Sequence, residues 1–167
     1  MMARAQPAVG LRPFLPADAP LLAEIFRLSV EDLTADDYSE GQQQAWAAAA
    51  DDAEAFAERL AARLTLVATL GGSAVGFIAL EGAEHIDMLY VHPAVAGQGV
   101  GTMLCDALEK IAGSRGTPRL VVDASDTALP FFQRRGYVAQ RRNTVSCRGE
   151  WLANTTMEKQ LAKGSRP

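Results

Sequence analysis

Between His85 and Glu109 the chain reads HIDMLYVHPAVAGQGVGTMLCDALE, an apolar strand-like run, then a turn with Gly97, Gly99 and Gly101 at alternate positions, then an apolar pattern of helical period. Glycine lacks a Cβ, so such a turn folds tightly and aims successive backbone N–H groups at one point. The helix start behind it adds the positive end of its dipole. This arrangement suits the binding of a phosphate group. Spacing excludes two familiar phosphate loops. A dinucleotide loop needs G-x-G-x-x-G, and here the third glycine comes one residue early; a mononucleotide loop needs Lys followed by Ser or Thr, whereas Thr102, Met103 and Leu104 follow Gly101.

The strand ahead of the turn carries the titratable side chains. Strand alternation predicts His85, Asp87, Leu89 and Val91 on one face and Ile86, Met88 and Tyr90 on the other. A carboxylate between apolar neighbours has a raised pKa, which makes Asp87 the first choice as a general base and His85 the second. The plain alternative is that Asp87 pairs with an arginine or caps a turn, and that His85 is a surface residue at a strand start. His92, before Pro93, is read as structural. Cys105 and Cys147 have neither disulfide-framework nor metal spacing; Cys105 reads as a small buried hydrophobe and Cys147 as a free thiol near a hairpin turn.

Elements that could position these groups follow from periodicity and turn signals. Val9 to Leu15 reads as a strand, and Asp18 as the cap of a helix with Leu21, Leu22, Ile25 and Phe26 at helical spacing. Ser39 with Gln42, and Asp51 with Glu54, read as capping boxes for a second and a third helix. Leu64 to Leu70 and Ala74 to Leu80 are strands joined at Gly71-Gly72, a hairpin signal. His85 to Val91 is a strand and Gly101 to Ala112 a helix, buried through Leu104, Leu108 and Ile111. Arg119 to Asp123 is a short strand and Ala128 to Arg135 a short helix, and Tyr137 to Val145 pairs with Glu150 to Glu158 in a closing hairpin.

The 167 residues, 49% hydrophobic and 22% charged, describe one globular domain, with roughly the first eight and last five residues expected to be loose. A net charge of −4 argues against a nucleic-acid surface. Arg134, Arg135, Arg141 and Arg142 cluster late in the chain, and Arg115 and Arg119 flank the motif helix; a solvated face is the first reading of these, direct phosphate contact the second. No segment has the apolar length of a membrane span or the h-region of a secretory signal, so a cytoplasmic protein that does not engage membrane is expected.

The order x-x-x-G-x-G between strand and helix, after Val91-His92-Pro93, resembles the acetyl-CoA motif of the GNAT (GCN5-related) N-acetyltransferases, which reads V-x-P, a short spacer, then R/Q-x-x-G-x-G/A. The resemblance runs from Leu11 to Met157-Glu158-Lys159. Tyr38-Ser39 with Gln42 and Trp46, Phe131-Phe132 with Gly136-Tyr137, and Arg148-Gly149 with Asn154 are similar to a bacterial branch labelled YafP-like. It implies an α/β (α+β) fold: a single domain with a mixed, mostly antiparallel sheet, flanked by helices and splayed between the strands ending at Val91 and Asp123. The pantetheine arm of the cofactor lies in that gap. The implied function is direct transfer of an acetyl group, in a ternary complex, from acetyl-CoA to a primary amine of a small molecule or peptide. No metal is implied, and the protein acts as a monomer or homodimer.

Carried onto this chain, the resemblance implies a cofactor pyrophosphate at Gly97, Gln98, Gly99, Val100, Gly101 and Thr102. Backbone groups of Leu89, Tyr90 and Val91 then meet the pantetheine amides and the thioester carbonyl. Ser125 stands where many members place an Asn against the cofactor arm. Two positions depart from the pattern. Ala96 replaces the usual Arg or Gln, and Phe132 replaces a Tyr that protonates the departing thiolate. The acid role falls first to Tyr90, with Ser125, Cys147 and water as the alternatives. A binding module that senses acyl-CoA without catalysis is the alternative reading. Tyr38, Trp46, Trp151 and Asn154 are expected to wall the acceptor end, with core anchoring as the alternative for both tryptophans.

Overall fold

A computed structural model describes residues 8–161; the expected looseness of the termini falls largely outside that range. In chain order the elements are β1 (Val9–Pro13), α1 (Ala19–Leu33), α2 (Glu40–Ala47), α3 (Ala53–Ala61), β2 (Leu64–Leu70), β3 (Ser73–Glu81) and β4 (His85–Val91). There follow α4 (Val100–Ser114), β5 (Arg119–Ser125), α5 (Leu129–Arg134), β6 (Val138–Cys147) and β7 (Glu150–Gln160). The seven strands form one sheet in the order β1-β2-β3-β4-β5-β7-β6. Every neighbouring pair is antiparallel except β4 with β5. This is the mixed, mostly antiparallel single domain expected.

Each face of the sheet has its own core. On one, Val100, Leu104 and Leu108 of α4 pack over Ile78, Leu120, Met157 and Phe132. On the other, Leu22, Phe26 and Val30 of α1, with Phe56 and Leu60 of α3, cover Val67, Phe77 and Met88. The Ser39–Gln42 capping box starts α2 as read from sequence. The next helix starts one residue later than expected: Asp52, not Asp51, accepts the Ala55 N–H at 3.0 Å. Asp18 precedes α1 without capping it, because its carboxylate is taken by Arg12 and by the Leu15 N–H.

Two irregularities in β4 create the site. Against β3, Met88 pairs with Ala79 and Ile86 with Leu80, so Asp87 is an extra residue, a β-bulge. A bulge reverses the alternation beyond it. Ile86, Leu89 and Val91 therefore face the α4 core while Met88 and Tyr90 face the α1–α3 core, and the grouping of Asp87 with Leu89 and Val91 expected from strict alternation is corrected. Against β5, pairing stops after His85↔Val121 and Ile86↔Val122. β3 keeps β4 to Val91, and β7 keeps β5 to Ser125, so the sheet forks at Asp87 and Asp123. Gly76 lets α4 approach this fork: a Cβ there would lie 3.1 Å from both the Tyr90 carbonyl and Val100 Cγ1.

Candidate active site

The fork opens into a cavity of about 690 Å³ that runs from the glycine turn to α1, α2 and the β6–β7 hairpin. At the glycine end the wall is backbone. Gly97 and Gly99 have φ of 78° and 85°, in the left-handed region that favours glycine. The first helical bond of α4 runs from the Met103 N–H to the Gly99 carbonyl at 3.0 Å. The N–H groups of Gly99, Val100, Gly101 and Thr102 therefore have no partner within their helix, and all four residues line the cavity. Gln98 differs from its neighbours. Its N–H is spent on the Val95 carbonyl at 3.2 Å and its side chain reaches back to Ala94, outside the cavity wall.

Leu89, Tyr90 and Val91 line the open side of β4, where β5 no longer supplies partners. Ser125 also lines the cavity; its Oγ accepts the Ala128 N–H at 3.1 Å, leaving its own proton to donate. Phe132 is 2% exposed and packs against Phe131 and Tyr137, closing the wall with apolar surface. Of the basic residues weighed from sequence, Arg134 lines the cavity. Arg135 is paired to Asp106 and Glu109, Arg119 to Glu84 and Glu158, and Arg142 to Asp126, while Arg141 bonds Asn143.

At the other end the wall is made of side chains. Tyr38 donates its hydroxyl proton to the Ala153 carbonyl at 2.6 Å and accepts the Asp126 N–H at 2.9 Å, tying the segment after α1 to β7 and to the end of β5. Trp46 stacks edge-on against Tyr38 and donates its indole N–H to the Tyr90 hydroxyl at 3.1 Å. Burial pushes the Tyr90 pKa up to about 12, so the phenol keeps its proton. That proton has no acceptor among the described residues. Asn154 lines the cavity and accepts from Asn143. Cys147 lines it as well, with its thiol against the Ala45 carbonyl at 3.4 Å, whereas Cys105 is fully buried on the inner face of α4.

Trp151 is corrected on both readings. It is 64% exposed, neither core nor cavity wall, and only its carbonyl is engaged, by Gln42. Alternation along β7 gives the inward position to Leu152 and turns Trp151 out.

Asp87 lines the cavity at the bulge in the arginine-paired setting of the plain alternative, not in the apolar one expected of a base. Arg59 grips both of its oxygens at 2.9 and 3.0 Å, and Arg63 adds a third bond at 2.8 Å. Burial alone would raise the Asp87 pKa; the two guanidiniums outweigh it and hold the carboxyl below its ordinary value. The expectation of a raised pKa is overturned, because the arginines come from α3 and the residue before β2, which strand alternation does not reveal. His85 stands behind the cavity wall, with Nδ1 3.4 Å from Glu81 and Nε2 3.5 Å from Asp123. Glu81, His85 and Asp87 offer ligand atoms within 4.8 Å of one another. The guanidinium of Arg63 bridges the two carboxylates there and stands where a metal ion would compete.

Asp123 was not singled out from sequence, yet it lines the cavity directly across the fork from Asp87. Leu120, Val122 and Ala124 are the buried members of β5, so alternation turns Asp123 the other way, on the face it shares with Val121 and Ser125.

The unpartnered amides at the start of α4, the forked β4–β5 pair and the aromatic end wall share one cavity, and comparison with known proteins gives the family. Residues 34–161 match the acetyltransferase (GNAT) domain family, and the chain belongs to it. The chain is 37% identical over 150 residues to the uncharacterised N-acetyltransferase YafP of Escherichia coli K12, covering 89% of this chain and 94% of that one. The crystal structure of a GCN5-related N-acetyltransferase from Rhodopseudomonas palustris is similar, with 63% identity, a TM-score of 0.90, and coverage of 96% of this chain and 99% of that one. The PaiA N-acetyltransferase of Thermoplasma acidophilum, solved with coenzyme A, shares the fold at 20% identity and a TM-score of 0.76, over 92% of this chain and 99% of that one.

Proposed function

We propose that the cavity binds acetyl-CoA and that this protein transfers the acetyl group directly to a primary amine seated at the aromatic end. The observation that carries this is the continuity of the fork: it leads from the free N–H groups of α4, past unpaired backbone of β4, to Tyr38 and Trp46. The cradle fits a pyrophosphate, since its donors are backbone amides and a Cβ at Gly97 or Gly99 would meet nothing within 4 Å. Arg134 supplies a cation at the same end, where Ala96 offers none. Free N–H groups of β4 polarise the thioester carbonyl. Tyr90, protonated and with its proton unshared, takes the donor role toward the leaving sulfur that Phe132 cannot fill.

Relatives support both kinds of acceptor. A glucosamine 6-phosphate N-acetyltransferase of Trypanosoma brucei brucei matches over 44% of this chain, and a peptidyl-lysine N-acetyltransferase of Salmonella typhimurium over 46%. The test is release of coenzyme A thiol from acetyl-CoA with benzylamine, aniline, glucosamine 6-phosphate and a lysine peptide as acceptors. Acceptor-dependent release is expected; a folded sample that transfers to no amine overturns the reading. Tight acetyl-CoA binding by calorimetry without transfer would assign the cavity to acyl-CoA sensing instead.

A further inference from the structure

Asp87 and Asp123 are the two carboxylates that line the cavity among the described residues, and they stand at the first unpaired positions on either side of the fork. Their surroundings are opposite. Asp87 is 12% exposed and saturated by three bonds from Arg59 and Arg63, which leaves it little capacity to take a proton. Asp123 is 44% exposed, and no arginine or lysine among the described residues pairs with it. One oxygen accepts the Thr156 hydroxyl proton at 2.6 Å, which fixes the carboxylate from the β7 side. The other lies 3.5 Å from Nε2 of His85, whose own side chain is 36% exposed.

We propose that Asp123 is the proton acceptor for the incoming amine and that His85 passes the proton on to solvent; this rests on the acetyl-transfer reading above. The ammonium form of the acceptor gives one proton to Asp123, directly or through a water, and its freed lone pair attacks the thioester carbonyl carbon. The C–S bond breaks and sulfur leaves with the bonding pair. Nitrogen loses its second proton as the amide forms, and one proton ends on sulfur, through Tyr90. The sum is ammonium plus thioester to amide, thiol and one proton, the last leaving by Asp123 and His85. The groups facing this route are Glu81 of β3, which meets His85 at 3.4 Å, and Asp87 of β4, both already engaged by Arg63. Thr156 of β7 is the remaining contact.

The test uses benzylamine, an ammonium at neutral pH, and aniline, which is uncharged there and needs no deprotonation before attack. Asp123→Asn keeps an acceptor for Thr156 and loses the base. Its kcat/KM for benzylamine should fall on the order of 100-fold at pH 7, the usual scale of general-base catalysis, while aniline changes little. Against pH, the variant's rate with benzylamine should climb in proportion to free amine and approach the wild type in alkali. His85→Gln should show the same pattern at roughly a tenth of the size. Equal slowing with both amines, or a benzylamine rate untouched in either variant, overturns the proposal and leaves acetyl transfer standing. Failure of the wild type with every amine overturns both.

Discussion

The two ends of the cavity are made of different material. At the glycine end the wall is formed by backbone amides, those of Gly99 to Thr102, and Arg134 also lines the cavity. At the other end, Tyr38, Trp46, Asp87 with Tyr90, and Asp123 come from four separate places in the chain and are held by hydrogen bonds to partners up to 115 residues away. A backbone site is damaged by adding atoms, and a side-chain site by removing them. The largest expected effect follows from the first half of that contrast. A Cβ at Gly99 would meet no protein atom within 4 Å, so Gly99→Val projects into the space a phosphate would fill. The left-handed φ should cost about 1–2 kcal/mol of stability. Acetyl-CoA affinity by calorimetry should fall by about 100-fold, equivalent to ~2.7 kcal/mol, whereas Thr102→Ala, which adds nothing, should leave it nearly unchanged.

The opposite operation applies at Asp87. Removing its charge leaves Arg59 and Arg63 facing each other across the bulge, and Asp87→Asn should destabilise the fold by about 2 kcal/mol, less than the ~3–5 kcal/mol of a fully buried pair. The sign with pH is fixed by the lowered carboxyl pKa. The unfolded chain titrates near ~3.9, so the stabilisation is complete above that value and is lost as pH falls through the lower folded one. The gap between wild type and variant in urea denaturation should stay constant from neutral pH down to about pH 5 and close on further acidification. A gap that widened in acid would contradict the arginine clamp.

The same contrast explains what the residue order reveals. The glycine turn and its helix are local, since one short run of residues excludes two phosphate loops and carries the family resemblance, and the elements around it fall where periodicity puts them. The bulge at Asp87 is different. It adds one residue to a strand whose pattern HIDMLYV looks regular, and only the pairing of Ile86 with Leu80 and Met88 with Ala79 exposes the reversal. The arginines that set the Asp87 charge lie 24 and 28 residues away in the chain. Trp151 was misplaced for a simpler reason: a large aromatic suggests burial, but its neighbour Leu152 took the inward position. Arg134 was visible only as one of a cluster, until its neighbours turned out to be paired with acids or amides.

Tyr90→Phe makes the next smaller test of the side-chain end. The ring contacts with Phe26 and Phe77 remain, while Trp46 loses its acceptor and the cavity loses a proton donor. Loss of the Trp46 bond should cost about 1 kcal/mol of stability. The kcat for acetyl transfer should drop about tenfold at pH 7 and recover towards alkaline pH, where the departing thiolate no longer needs a proton. A drop that is the same at every pH would make Tyr90 a packing residue.

The smallest effect is expected at Trp151, and it is the sharpest check on where the side-chain end stops. Trp151→Ala removes an exposed ring that touches neither core nor cavity and keeps the carbonyl that Gln42 uses. Stability should change by less than about 0.5 kcal/mol, as for surface positions generally, and the KM for the amine should be unaltered. Leu152→Ala, one residue on, takes away a side chain that is 8% exposed and lines the cavity. It should raise the amine KM while leaving acetyl-CoA affinity intact. If Trp151→Ala were the variant that raised KM, the acceptor would have to leave the cavity mouth and lie across the outer face of the β6–β7 hairpin. The acceptor wall would then extend beyond the side chains that line the fork.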